Sequence, residues 1–343
     1  MRAAYLVEPR RVSILDVPVP EPGPGEVLVR VRAVGICRSD VHYYLHGRIG
    51  DTVMREPLIM GHEFAGELAV LGTGVTGPQV GDKVAVDPAI SCGHCEMCLG
   101  GHPNLCRHIR FMSTPPDQGA LAEYVLASAE RCFELPPEMT FAEGAMLEPL
   151  GVALHSMRLA KLLIGDTVAV VGCGPIGLLI LQLAQASGAL DLAASDKLDY
   201  RLECARSYGA SLAVNVQRED TQAAVAAFTA KRGMDIVFEA AGGSDTLEQA
   251  IRLARAGGTV ILAGIPESDR LVMTAGTARR KGLTIKLVRR MKHTYPRAIA
   301  LAAAGKVDLV GLVTHRLPLA RVGEAFELAA AERDGVIKAV IEM

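Results

Sequence analysis

VAVVGCGPIGLL, residues 168–179, decides the reading of this chain. Its first residues extend DTVAVVG (166–172), a short β-branched run that reads as a buried strand. PIGLLILQLAQASG (175–188) then reads as a helix closed by Gly188. Between them stands Gly172-x-Gly174-x-x-Gly177, with Pro175 and Ile176 opening the helix. The glycines permit a tight turn, close approach of a pyrophosphate, and close packing of helix on strand; the helix N-terminus then faces the phosphates. The pattern alone is weak. Strand and helix on either side, and Asp196 roughly twenty residues on, make it a dinucleotide-binding signature. Asp196 can bond the adenosine ribose hydroxyls, and its charge would repel a 2′-phosphate. That favours NAD over NADP, with Lys197 and Arg201 nearby pulling the other way.

Outward from this turn the same rhythm continues. DLAASD, SLAVNV, DIVFEA, GTVILAG and GLTIKLV are short apolar runs, most of them separated by helix-compatible stretches such as YRLECARSYGA and DTLEQAIRLARAG. Alternation of this kind implies a parallel sheet with crossover helices. Residues 1–150 have a different texture, rich in Gly, Pro and Val, and EVLVRVRAVGI and GELAVLG read as strands bounded by turns. After about 285 the pattern turns helical and closes on GVIKAVIEM, which reads as a strand. With 343 residues, two domains are expected.

Composition excludes several classes. Half of the residues are hydrophobic and 22 % are charged, so a packed core is expected rather than disorder. A net charge of −2 with no basic block, 4 % aromatics and no Trp argue against nucleic-acid binding. No run of about 18 apolar residues is free of charge, Gly or Pro, so no transmembrane helix is expected. The N-terminal MRAAYLVEPRRVSIL meets charges before it builds a signal core, so secretion is not expected.

Two further constellations carry chemistry. Cys92, Cys95, Cys98 and Cys106 follow C-x2-C-x2-C-x7-C in a Gly/His/Pro-rich loop. Four thiolates on a short loop can close around a tetrahedral structural zinc; an iron–sulfur cluster, whose common spacings differ, or four unrelated thiols fit the spacing less well, and the crowding points to a reducing compartment. His94, His102 and His108 are surplus to such a site and read as surface histidines. GICRSDVHYYLHG holds Cys37, Ser39 and His42, and GHEFAGELAVLGTGV holds His62 and Glu63. Taken singly, Cys37 reads as a buried thiol and His62 as a satisfied polar residue. Together with Glu148 of MLEPLGVALH they offer sulfur, nitrogen and oxygen donors for a catalytic zinc, which takes three protein ligands and leaves one place open.

Here the chain resembles the zinc-containing medium-chain dehydrogenase/reductase family. GHE-x2-G-x5-G-x2-V is matched by residues 61–75, and the Cys loop, the Gly-rich turn and the order of elements match as well. Within that family it is most similar to the sorbitol (polyol) dehydrogenases, through GICRSDVHYYLHGRIG, STPPDQGALAEY, FAEGAMLEPLGVALH and LVTHRLPL. The resemblance implies an α/β chain: a GroES-like β-rich catalytic domain from residues 1–150 and 285–343, and an inserted Rossmann domain, a doubly wound parallel sheet, at 151–284. It implies zinc on Cys37 and His62 with Glu63, Glu148 or both, and a structural zinc on the four-Cys loop. Ser39 and His42 match the proton relay, in which Ser39 takes the alcohol proton and passes it through the cofactor ribose toward His42 and solvent. Tyr43, Phe111 and Thr114 match pocket positions. Arg290 matches an arginine near the polyol hydroxyls and, with Arg201 and Ile265, is expected at the cofactor. Met291 stands where some polyol enzymes place a Tyr. The implied activity is NAD-dependent oxidation of a sugar alcohol to a ketose by a cytoplasmic homotetramer or dimer. No nucleic-acid or membrane partner is expected.

Other readings compete. A zinc alcohol or vicinal-diol dehydrogenase and an L-threonine dehydrogenase share the donors, and a non-catalytic dinucleotide-binding protein shares the fold. Arg279, Arg280 and Lys281 read as a solvated face, and His155 as a satisfied polar residue. Cys132, Cys173 and Cys204 read as scattered thiols. Met291 could be core filler, and His46, Arg48 and Ile49 lie beside the pocket at most.

Overall fold

A computed structural model describes residues 1–266 and 270–343. The chain divides into two units: Met1–Glu148 with Tyr295–Ala303 and Asp308–Met343, and Pro149–Thr294 with Ala304–Val307.

The first unit is built on the strand Glu26–Gly35. Its Val-rich sequence suits a pleated surface covered on both faces, and Val27, Val29, Val31 and Val34 are all buried. This strand pairs antiparallel with Glu63–Leu71, with Tyr124–Ser128 and with Lys338–Glu342 from the far end of the chain. Register matters here: Gly35 faces Glu63 on one side and Val340 on the other. The Ile36 N–H continues the pairing onto the Ala339 carbonyl at 2.9 Å, which carries Lys338 toward Cys37. Beyond Gly35 the chain turns into the helix Arg38–His46, ended by Gly47 in the left-handed region.

In the second unit, six strands among the described residues form one parallel sheet. Their order is Leu212–Asn215, Asp191–Asp196, Thr167–Val171, Met234–Glu239, Ala254–Leu262, Thr284–Leu287. Thr167–Val171, first in sequence, lies in the middle with its successors on either side. The order of strands therefore reverses at its C-terminal end, where doubly wound sheets bind ligands. This unit runs past the expected 151–284, because Thr284–Leu287 hydrogen-bonds to Ala254–Leu262 and the loop after it belongs to the same body. Met291 is buried in this unit against Gly151, which accords with a core filler. Lys281, read as solvated, instead donates to the Ile251, Arg252 and Ala254 carbonyls and closes the end of the helix Thr246–Leu253.

Candidate active site

The helix Arg38–His46 and the strand Glu63–Leu71 start beside each other, and their first residues bring the donors together. The Cys37 sulfur, a His62 ring nitrogen and a Glu63 carboxylate oxygen all lie within 4.8 Å of one another, with His62 and Glu63 buried. Ser39 Oγ is 3.2 Å from Cys37 Sγ and 3.5 Å from His62 Nε2. Glu148 is buried in the helix Phe141–Ala160, just ahead of Pro149, and is not one of this group of three. His42 is buried on the same helix as Ser39. Phe111 places its ring 5.0 Å from that of His62. Tyr43 is buried, and burial pushes its hydroxyl up to about 12 against a hydrogen bond with Thr114.

Two residues that sequence reasoning passed over, Asp40 and Lys338, complete the site. Asp40 is buried with Oδ1 3.4 Å from His62 Nδ1, and accepts from the Ser113 hydroxyl at 2.5 Å and the Gly61 N–H at 3.2 Å. Burial raises the Asp40 carboxyl, but His62, Ser113 and Gly61 outweigh it and hold the group below its ordinary value. For His62, burial opposes charge, while Asp40 and then Cys37 raise the imidazole well above its ordinary value. Surroundings that favour a proton on the ring also favour a cation in its place, since proton and metal compete for one nitrogen. A carboxylate on the far ring nitrogen is the usual way to orient a metal-binding histidine. Lys338 donates to both oxygens of Glu63, at 2.9 and 2.6 Å, and to the Ile36 carbonyl at 3.0 Å. Burial depresses the ammonium, but Glu63, Cys37 and Glu148 more than compensate and raise it. Asp40 had a signal, a carboxylate inside the quoted GICRSDVH; Lys338 also had one, a lone charge inside the apolar run of GVIKAVIEM.

The donor set therefore fits zinc: a soft thiolate, an oriented imidazole and a carboxylate, in a pocket whose charge favours a cation. The four-Cys loop fits a second zinc. Cys92, Cys95, Cys98 and Cys106 form one ligand group, with Cys95–Cys98 at 3.5 Å and Cys92–Cys106 at 3.5 Å. The Cys98 and Arg107 backbone N–H groups hold the Cys95 thiol down at about 6. His94, His102 and His108 are exposed, as surface histidines would be.

In the second unit, each glycine of the turn does a separate job. Gly172 has φ 93°, and a Cβ there would press on Ala241 at 2.7 Å. A Cβ on Gly177 would collide with the Gly172 carbonyl, so helix and strand meet only through glycine. Gly174 faces open space and leads into the helix Pro175–Ala186 with no side-chain cap, which leaves the first N–H groups to a ligand. Asp196 accepts from the Cys173 N–H at 2.7 Å and the Leu198 N–H at 3.0 Å, so it braces the turn. Arg201 Nη1 stands 3.8 Å from Asp196 and offsets part of its charge. Ile265 follows the strand Ala254–Leu262 and is 44 % exposed, and its carbonyl lies where a Cβ on Gly242 would be. Arg290 is half-buried with φ 54°, an uncommon conformation for a non-glycine residue.

Comparison with known proteins agrees with this geometry. Residues 23–137 match the alcohol dehydrogenase GroES-like domain, and residues 175–304 match the zinc-binding dehydrogenase family. The chain belongs to the zinc-containing medium-chain dehydrogenases. It is 36 % identical to sorbitol dehydrogenase of Bacillus subtilis (strain 168), over 99 % of this chain and 97 % of that protein. It is 40 % identical to sorbitol dehydrogenase of Gallus gallus, over 90 % of this chain and 88 % of that one. The crystal structure of 2R,3R-butanediol dehydrogenase from Bacillus subtilis superposes with a TM-score of 0.89 at 31 % identity, covering 100 % of this chain and 99 % of the other. As a medium-chain dehydrogenase the protein takes a small-molecule substrate. Among the described residues, no helix is long and apolar enough to cross a membrane.

Proposed function

We propose that the chain is an NAD-dependent zinc polyol dehydrogenase, oxidising a secondary alcohol of a sorbitol- or xylitol-like sugar alcohol to the ketose. The observation that carries this reading is the convergence of Cys37, His62 and Glu63 with Ser39 Oγ against two of them. The likeness to sorbitol dehydrogenases over most of the chain supports the substrate class. In this reading Cys37, His62 and Glu63 hold the catalytic zinc, Glu148 is the outer carboxylate, and Cys92, Cys95, Cys98 and Cys106 hold the structural one. Zinc supplies Lewis acidity toward an alcohol oxygen, and NAD supplies the hydride acceptor.

The rest falls to the chain's own residues. Asp40 fixes the His62 ring so that Nε2 is the free donor. Ser39 Oγ, beside both Cys37 and His62, accepts the alcohol proton, and His42 on the same helix takes it onward toward solvent. Phe111 lies with its ring tilted against that of His62, at 5.0 Å. Tyr43 and Thr114 are the hydroxyl pair of the pocket, and Arg290 contributes a cation for substrate or cofactor. The N–H groups at Gly174, Pro175-Ile176 and Gly177 bind the pyrophosphate, proline itself lending only its fixed φ. Asp196 receives the adenosine ribose with Arg201 beside it, and Ile265, which follows the strand Ala254–Leu262 on the other side of Thr167–Val171, meets another part of the cofactor.

Self-association is part of the reading: a homotetramer or dimer in the reducing cytoplasm. Among the described residues Thr284–Leu287 is the last strand of the parallel sheet, and Leu287 there is 71 % exposed. Light scattering tests the assembly. The activity is tested with sorbitol, xylitol, galactitol, 2,3-butanediol and threonine, following NADH formation in wild type and Cys37→Ala. A polyol should give the highest kcat/KM, and Cys37→Ala should lose both turnover and the catalytic zinc. Turnover confined to butanediol or threonine would move the protein to another branch, and no NADH with any of them would make it a non-catalytic binder.

A further inference from the structure

Lys338 is 3 % exposed and spends all of its protons inside the protein, on both oxygens of Glu63 and on the Ile36 carbonyl. The niche around Glu63 is built for this. Gly35 lies opposite Glu63 in register, and a Cβ at residue 35 would collide with Glu63 Oε2. The carboxylate thus rests on a missing side chain and against a buried ammonium. At the same time one of its oxygens belongs to the donor group with Cys37 and His62. Two cations therefore claim one carboxylate.

We propose that Lys338 is a positioning residue that competes with the zinc for Glu63, neutralising and holding the carboxylate while the metal is away and keeping it a shared, exchangeable ligand while the metal is bound. The proposal rests on the metal-site reading above. Its physical content is a sign. Without Lys338, the metal-free site keeps a buried carboxylate with no counter-charge, which is strongly unfavourable. The metal-loaded site, by contrast, is relieved of a like charge on the far side of the shared ligand. Both changes make the zinc harder to remove. A lysine that served only to pack or brace the strand would act the other way, since its loss would loosen the donors and let the zinc go faster.

The test is release of zinc from the full-length holoenzyme to a chromogenic chelator, the relevant phase being the one that Cys37→Ala lacks. Lys338→Met should slow that phase by about tenfold or more, and Lys338→Arg should leave it near the wild-type rate. An unchanged or faster phase in Lys338→Met overturns the proposal. A second pair of variants decides the matter even where Lys338→Met does not fold. Glu63→Gln leaves Lys338 as an unpaired cation against the zinc and should speed release; adding Lys338→Met removes that cation and should slow release again. A double variant that loses zinc as fast as Glu63→Gln overturns the proposal. If Cys37→Ala and Glu63→Gln both keep zinc with wild-type kinetics, the metal-site reading itself fails, and the inference with it.

Discussion

Asp40 shows how one buried side chain sets the chemistry of another. It meets His62 Nδ1, the Ser113 hydroxyl and the Gly61 N–H at once, so the imidazole has one orientation and one face toward the donors. Asp40→Asn keeps the shape and removes the charge. It should weaken catalytic zinc binding by about 10–100-fold, as removal of such a partner commonly does, and leave the four-Cys zinc in place; metal analysis after graded chelation measures both. Asp196 has two duties: bracing the Cys173 N–H of the turn and, in our reading, receiving the ribose. Asp196→Ala should weaken NADH binding and lower the NAD-to-NADP preference by roughly tenfold, the worth of one lost charged hydrogen bond. An unchanged preference in a cofactor titration would remove Asp196 from the specificity argument, and would point to the Arg201 charge beside it as the cause.

At the scale of elements, the strands Thr167–Val171 and Met234–Glu239 are tied at their starts by Asp235. Its carboxylate accepts from Arg232 at 2.6 and 2.9 Å, from Arg255 at 2.5 Å, and from the Thr167 N–H and hydroxyl at 3.0 and 2.8 Å. Burial raises the Asp235 carboxyl, but these donors overcome it and hold the group far below the usual carboxylate range. A carboxylate depressed in the folded state stabilises above its unfolded pKa, about 3.9, and that contribution fades as the pH falls toward the folded value. Asp235→Asn should therefore cost about 3 kcal/mol at neutral pH, with the gap to wild type narrowing below about pH 4. Denaturant melts across that range measure it. Elements of this kind were largely legible in the sequence. DTVAVVG, DIVFEA and GTVILAG are short, β-branched and flanked by turns, and the Gly-rich turn carries its own geometry. The donors Cys37, His62 and Glu63 were legible because each sits in a motif. Asp40 and Lys338 each left a mark, a carboxylate in GICRSDVH and a lone charge in GVIKAVIEM, but the groups they meet are set by register and side-chain packing, which a linear pattern does not encode. Met291 and Lys281 show the same limit from the other side: one pattern suits a pocket wall or a core, a solvated face or a helix cap.

For the whole molecule the decisive fact is discontinuity. The first unit needs the end of the chain: Lys338–Glu342 is a neighbour of the central strand Glu26–Gly35, and Val340 and Ile341 are buried in it. A fragment of residues 1–148 lacks that strand and should show no cooperative thermal transition by circular dichroism. Residues 149–294 contain all six strands of the parallel sheet and should melt cooperatively and bind NADH. A cooperative melt of 1–148 would refute the dependence. The expected boundary at 284 was early because an edge strand such as Thr284–Leu287 is assigned by its partner rather than by its own residues.

The late strand also sets an order of events during synthesis. Chains are made from the N-terminus, and segments fold as they emerge. The parallel sheet is complete on the ribosome while the central strand of the other unit still lacks its last partner. Cys37, His62 and Glu63 are translated early, yet Glu63 meets Lys338 only once the strand Lys338–Glu342 has left the exit tunnel. The four-thiol loop holds its ligands within a short local stretch and can take its ion first. Maturation of the reactive centre is thereby deferred until the strand Lys338–Glu342 has emerged.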